Sequence, residues 1–269
     1  MSPLLVAALL GAVQGVTEFL PISSSGHLKL LEQFIPPQGD ALAFDLALHV
    51  GTLVPVIVLF REDLMRMVRD AFVPSAGAGL WKDRPGVRWA MWVVLASVPT
   101  AIMGLALEDY FEEVFSSFGQ LSWQFAVTAV ALHLSGRLGP GTRDVSDMTW
   151  RDALLVGTAQ GIAILPAVSR SGATIVCAIM LGMRRDVAGR FSFVLSIPAI
   201  VGAVLLKMRK VDFATVDLSA WAVGAATSMV VGWFALTLLL RVINAGEFRK
   251  FAGYCWLLAG VCAWLAFRA

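Results

Sequence analysis

Charge is what this chain has least of. Only 15% of its 269 residues are Asp, Glu, Lys or Arg, against roughly 25% in an ordinary soluble domain, and 58% are hydrophobic. That balance belongs in a bilayer. Cysteine is scarce too: Cys177, Cys255 and Cys262 make an odd count, lie inside apolar stretches and lack metal-ligand spacing. A disulfide framework is therefore not expected, and the three read as packing residues. Residues 1–17 offer no Lys or Arg ahead of the apolar stretch and no cleavage signature, which argues against a removed signal peptide. No Pro/Gly/Ser-rich linker, low-complexity tract or long soluble insertion divides the chain, so 1–269 reads as a single polytopic membrane domain. The net charge of +2 makes no nucleic-acid surface, because Lys and Arg fall mainly between apolar runs.

What is present is a series of long uncharged runs: Trp89 to Leu107, Val114 to Gly136, Leu218 to Leu240 and Phe251 to Phe267. Each approaches the roughly 20 residues a helix needs to cross the hydrocarbon core. They are apolar on every face, whereas the strands of a membrane barrel alternate. The fold class is thus an all-α integral membrane protein, with spans expected near 45–60, 89–107, 121–137, 188–207, 218–240 and 251–268. The nine Trp residues suit interfaces or the core.

The chain repeats itself. At an offset of 146 residues, Ala7, Leu9, Gly11, Gln14 and Gly15 fall on Ala153, Leu155, Gly157, Gln160 and Gly161, and Ser23, Ser25 and Gly26 fall on Ser169, Ser171 and Gly172. Leu20 and Pro21 match Leu165 and Pro166 after a one-residue slip. In each copy an apolar segment breaks at Leu-Pro, passes a Ser/Gly-rich stretch and resumes as a helix too short to span. This predicts about six transmembrane helices plus two re-entrant helix pairs in an inverted-topology internal repeat, repeat 1 covering about 1–137 and repeat 2 about 150–269. Unpaired backbone at membrane depth must be buried in protein or line a wet cavity, so both breaks should face inward.

Loop charge sets the orientation. The loop from Arg61 to Arg88 carries Arg61, Arg66, Arg69, Lys82, Arg84 and Arg88, and the next offers only Glu108, Asp109, Glu112 and Glu113. The first is expected in the cytoplasm and the second outside. Arg143 and Arg184 then lie inside and both termini outside. The first hairpin enters from the external side and the second from the cytoplasmic side, and the site is expected to open externally. The basic loop with Lys207, Arg209 and Lys210 runs against this path.

Two polar motifs interrupt the apolar chain. The first, QGVTEFLPISSSGH, places Gln14, Glu18, Ser23, Ser24, Ser25 and His27 where ionisable groups are costly, which marks a functional site. On a helix Gln14 and Glu18 share a face at i and i+4. The second, LPAVSRSGAT, sets Arg170 between Ser169 and Ser171, with Gly172 and Thr174 following. A guanidinium fork, hydroxyl donors and a glycine near a helix start suit phosphate oxygens. The plainer reading of the second motif is that Ser and Thr cap a broken helix while Arg170 snorkels. His49 and His133, within apolar runs, read as interface or packing residues, and Asp45 as interfacial.

With both motifs in hand, the sequence resembles the undecaprenyl-diphosphate phosphatase family of the bacitracin-resistance type. Gln14, Glu18, Pro21, Ser23, Ser24, Gly26 and His27 match one family motif, and Pro166, Ser169, Arg170, Ser171, Gly172 and Thr174 match the other. Gln14 stands where many relatives have Glu, so it cannot act as a base and offers at most a neutral metal or phosphate contact. Ala167 stands where the pattern has Gly. The resemblance implies hydrolysis of a C55 isoprenoid diphosphate to the monophosphate carrier used for peptidoglycan and other envelope polymers, by a multi-pass protein of the bacterial plasma (inner) membrane.

The resulting expectation assigns catalysis to Glu18, Ser24, His27 and Arg170, and substrate binding to Gln14, Ser23, Ser25, Ser169, Ser171 and Thr174. Ser24 attacks the terminal phosphorus, Glu18 or His27 takes its proton, and Arg170, Ser169 and Thr174 hold the developing charge. Attack by water activated by His27 is the rival route. A divalent cation, Mg²⁺ or Ca²⁺, could bridge Glu18 and the diphosphate. The expected partners are the lipid diphosphate and membrane lipids, with no nucleic acid and a homodimer left open. The competing class is a phosphate-lipid transporter or flippase, alone or as a second activity. It would need the Arg170 clamp but not a nucleophile beside a base. A phosphatase of other lipid phosphates would share the mechanism with a different tail.

Overall fold

The computed structural model describes residues 1–35, 40–72, 84–114, 117–214 and 216–268, leaving aside the side chains of residues 108–109 and 111–114. The described residues form eleven α-helices: α1 Pro3–Phe19, α2 Ser24–Glu32, α3 Ala41–Leu59, α4 Arg61–Phe72, α5 Pro85–Val114, α6 Phe118–Ser135, α7 Trp150–Ile162, α8 Arg170–Met180, α9 Arg185–Lys207, α10 Leu218–Asn244 and α11 Phe251–Arg268. The protein is an all-α integral membrane protein.

Among the described residues, five helices are long and apolar enough to cross a membrane: α3, α5, α9, α10 and α11. The sixth expected span, α6, is 18 residues long and carries Gln120, Gln124 and His133, with Gln124 turned fully inward. The stretch from Arg61 to Arg88 is not all loop as expected. Arg61, Arg66 and Arg69 ride on α4, an amphipathic helix whose buried Asp63 pairs with Arg190 of α9 and whose Met67 enters the core. Lys82 lies outside the described residues, as do the side chains of Glu108, Asp109, Glu112 and Glu113.

Local chemistry sets the helix starts. Ser2 caps α1 and is followed by Pro3, Asp40 caps α3 through the Ala43 amide at 3.1 Å, Thr149 and Asp152 form a capping box on α7, and Ser169 caps α8 through the Gly172 amide at 3.1 Å. Proline ends α1. Leu20, ahead of Pro21, is driven to φ −59° and ψ 142°, which halts the helix. Pro55, Pro99 and Pro198 sit inside α3, α5 and α9, as neighbouring helices in a membrane bundle allow.

The matched glycines of the repeat do matching work. A Cβ on Gly11 would strike the backbone of Gly224, and one on Gly15 the backbone of Ser228 and Gly232, so α1 lies against α10 without intervening side chains. A Cβ on Gly157 would strike the backbone of Ala96 and one on Gly161 the side chain of Met103, so α7 also lies close against α5. Small residues let backbones approach where lipid supplies no hydrophobic drive between helices. Thr100 extends the second contact, donating to the Gly157 carbonyl at 3.0 Å and accepting from Gln160 at 3.1 Å.

In both pairs the residue numbers climb together, so α1 runs parallel to α10 and α7 parallel to α5. The start of α9 touches the start of α5, where Phe191 meets Trp89 at 5.9 Å between ring centroids. It also touches the end of α10, where Gly189 meets Ile243 and Leu240. Hence α5 and α10 run in opposite directions, and α1 and α7 enter the bundle from opposite ends. One end gathers Arg88 on the Ser146 carbonyl, Arg143 on Asp152, Arg184 on Asp144 and Asp186, and Arg190 on Asp63. The other end holds Lys207, Arg209 and Lys210, with the Asp40 carboxylate accepting from the Asp212 amide at 3.1 Å.

Replacing Gly11 or Gly157 with Leu should destabilise the bundle by about 1–3 kcal/mol or more through overpacking. Gly253→Leu, at a site where an added Cβ meets nothing within 4 Å, should be neutral. Thermal unfolding in detergent checks this, and equal shifts for all three would contradict the packing role.

Candidate active site

The two broken segments meet. Ser23 and Ser25, at the start of α2, both donate to the Pro166 carbonyl in the second break, Ser23 at 2.6 Å. Behind the second break stands α6. Gln124 accepts from the Ala167 amide at 2.9 Å, while Thr128 donates to the Ala167 carbonyl at 3.0 Å and accepts from the Ser169 amide at 3.0 Å. The Pro166 and Ala167 carbonyls and the Ala167 and Ser169 amides are thus each partnered by a side chain, as burial demands. The Ala167 methyl packs against Gly26, where any added Cβ would also meet Phe125. Alanine therefore serves where the family pattern has Gly, because the turn takes no positive φ there and the space comes from Gly26 instead.

Glu18 is the hub. Its Oε2 accepts from the Ser24 hydroxyl at 2.6 Å and from the Gln14 amide at 3.1 Å, and its Oε1 pairs with Arg170 of the opposite hairpin. The carboxylate is buried among these donors, its side chain only 5% exposed. Two atoms in this cluster are buried without a hydrogen-bond partner among the described residues: Arg170 Nη1 and Gln14 Oε1. An unpaired guanidinium nitrogen is costly unless a ligand completes it. Ser24 and Arg170 are also the first residues of α2 and α8, so two helix N-termini, each favouring anions, border the same place.

The structure therefore brings together Gln14, Glu18, Ser24 and Arg170. The remaining expected residues stand around them. Ser23 and Ser25 are engaged on Pro166, and Ser169 and Ser171 face each other at 3.3 Å between hydroxyls. Thr174 turns toward Ser192 and donates to the Arg170 carbonyl at 2.8 Å. His27 points to Tyr254 of α11, its Nε2 2.9 Å from the phenol oxygen.

His49 overturns its sequence reading. It lies on α3 with Nε2 3.8 Å from Glu18 Oε2, and its Nδ1 donates to the Asp45 carbonyl at 2.8 Å. Helical spacing points His49 only to Asp45; the approach to Glu18 is hidden from it because Glu18 belongs to another helix. His133 is exposed on α6, and Asp45 bonds Glu32 near the Lys29 and Lys207 charges. Gln124 and Thr128 were also missed, though polar residues inside an apolar run are a usable signal. Cys255 and Cys262 are buried free thiols and Cys177 is a partly buried one.

The donor set does not fit a resident metal ion. Both Glu18 oxygens are taken, a guanidinium sits against one of them, and no three of His, Cys, Asp and Glu gather among the described residues.

A helical membrane bundle that joins a hydroxyl, a carboxylate and an arginine from two opposed hairpins defines a class of intramembrane anion site. The chain matches the model of the family described as bacitracin resistance protein BacA over residues 7–261, and it belongs to that family. It is 42% identical over 270 residues to the undecaprenyl-diphosphatase of Desulfosudis oleivorans, covering 97% of each chain. It is 41% identical over 268 residues to that of Rubrobacter xylanophilus, covering 98% of each chain. With that of Carboxydothermus hydrogenoformans it shares 38% over 257 residues, covering 94% of this chain and 93% of the relative.

Gln124→Leu would leave the buried Ala167 amide unpaired and should cost about 1–3 kcal/mol. Thr158→Val, on an exposed face of α7, should stay within about 0.5 kcal/mol. Thermal denaturation in detergent compares them, and a neutral Gln124→Leu would contradict the anchoring role.

Proposed function

We propose that the chain hydrolyses undecaprenyl diphosphate to undecaprenyl phosphate and inorganic phosphate, recycling the lipid carrier of envelope polymers and so conferring resistance to bacitracin. The observation that carries the reading is the Ser24 hydroxyl donating to Glu18 at 2.6 Å, with Arg170 of the other hairpin on the same carboxylate. A transporter needs a cation for the headgroup; it does not need a hydroxyl held on a base.

Glu18 takes the proton of Ser24 as Oγ attacks the terminal phosphorus. The bond between that phosphorus and the bridging oxygen breaks, and undecaprenyl phosphate leaves. Glu18 passes its proton to the departing undecaprenyl phosphate; water then attacks the phosphoserine and gives a proton to the freed Glu18, which returns it to Ser24 Oγ as the bond from Oγ to phosphorus breaks and inorganic phosphate leaves. Arg170 offers its unpartnered Nη1 to the terminal phosphate and shifts from Glu18 toward it as charge develops. The N-termini of α2 and α8 add their dipoles. His49 lies against Glu18 from α3 and closes the hub on that side.

The arginine-rich end of the bundle faces the cytoplasm of the bacterial plasma membrane by the positive-inside rule. Both chain termini are then external, the α1–α2 hairpin enters from outside, and the site opens to that side.

Inorganic phosphate release from undecaprenyl diphosphate in detergent tests the assignment. Glu18→Gln, Ser24→Ala and Arg170→Ala should each lose roughly 100-fold or more, and a phosphoenzyme trapped in the wild type should vanish in Ser24→Ala. Substantial turnover by Ser24→Ala would hand the attack to water, and no release by the folded wild type would overturn the hydrolase reading.

A further inference from the structure

His27 is where this structure departs most from the expected chemistry. It is 7% exposed, and both ring nitrogens are occupied. Nδ1 lies 2.6 Å from the Ser23 carbonyl oxygen, which can only accept, so Nδ1 carries the hydrogen. In the neutral ring Nε2 is then an acceptor, and the Tyr254 hydroxyl donates to it at 2.9 Å. The Tyr254 ring stacks on the imidazole with centroids 5.6 Å apart and planes 7° apart, and Phe125 meets it edge-on at 5.7 Å. These contacts hold the imidazole on Ser23 and Tyr254, whereas Ser24 is held by Glu18.

The residue that His27 grips is strained. Ser23 has φ 68°, the only positive φ at a non-glycine among the described residues. Such strain persists only where the surroundings over-determine it. Here the Ser23 carbonyl accepts twice from His27, from the ring at 2.6 Å and from the main-chain amide at 3.3 Å, while its hydroxyl is tied to Pro166. The next residue is Ser24. A relaxed Ser23 would rotate the following peptide and lift the nucleophile from Glu18.

Building on the hydrolase reading, we infer that Tyr254 of α11 is a positioning residue acting through His27: the pair braces the strained Ser23 so that Ser24 stays on Glu18, and Glu18 alone takes the serine proton. The brace also reaches α11, since the Cys255 thiol beside Tyr254 lies 3.8 Å from the Pro21 carbonyl.

Asparagine separates a brace from a base. Its side-chain N–H can occupy the place of Nδ1–H, but it cannot take a proton. The full-length protein in detergent, with undecaprenyl diphosphate as substrate, is assayed for kcat, KM and the pH profile of kcat/KM alongside thermal unfolding. His27→Asn should keep kcat within about tenfold of wild type and leave the shape of the pH profile unchanged, whereas His27→Ala should lose roughly 100-fold. Tyr254→Phe should lower kcat by about fivefold at unchanged KM, the loss of one neutral hydrogen bond, and should have no further effect in a His27→Asn background. A folded His27→Asn protein as inactive as His27→Ala, or one that loses a limb of the pH profile, would make His27 a proton-transfer group and overturn the inference. Undiminished kcat in Tyr254→Phe would remove Tyr254 from the brace. If the wild type itself releases no phosphate, the hydrolase reading falls and the positioning role falls with it.

Discussion

Glu18 and Arg170 sit on different hairpins of a membrane protein, and neither charge is tolerable at that depth without the other. Their contact obliges two segments 152 residues apart in sequence to end at one place. Much of the architecture can be read as the means of holding them there. The hairpins stop short because each must deliver a helix end, with its capping serine and unpaired amides, to the interior rather than to the far side.

Bringing two broken segments together inside a bilayer exposes backbone that lipid cannot satisfy. The protein answers with side chains in fixed positions: Ser23 and Ser25 on the Pro166 carbonyl, and Gln124 and Thr128 on Ala167 and Ser169. Close approach comes from the matched glycines, which seat α1 on α10 and α7 on α5. Each hairpin thus leans on a long helix from the other half of the chain. The same exchange makes the halves depend on each other for packing as well as for charge.

Much of this was legible in the residues. The fold class followed from long apolar runs, the two breaks from Leu-Pro, and the meeting of Glu18, Ser24 and Arg170 from two polar motifs in a repeated frame. What stayed hidden were partners defined across helices. His49 has Asp45 at i−4 but bonds only its main-chain carbonyl, and its approach to Glu18 depends on how α3 crosses α1. Tyr254 is one residue in an apolar helix, and only the fold shows it stacked on His27. The α4 helix was missed because its many charges read as a loop, while Asp63 finds its arginine on α9. Among the expected ligand hydroxyls, those of Ser23, Ser25 and Thr174 turned out to bind protein, since a motif records which polar residues cluster but not which of them face the cavity.

A double-mutant cycle on Glu18 and Arg170, read as kcat/KM for phosphate release at matched folding, tests the dependence of the site on that one contact. With Glu18→Gln, Arg170→Gln and the double variant, strong coupling is expected, the double variant being about as slow as the worse single one, because either change alone already dismantles the shared unit. Additive losses would contradict it, showing that the carboxylate and the guanidinium act independently and that their meeting is incidental to the chemistry.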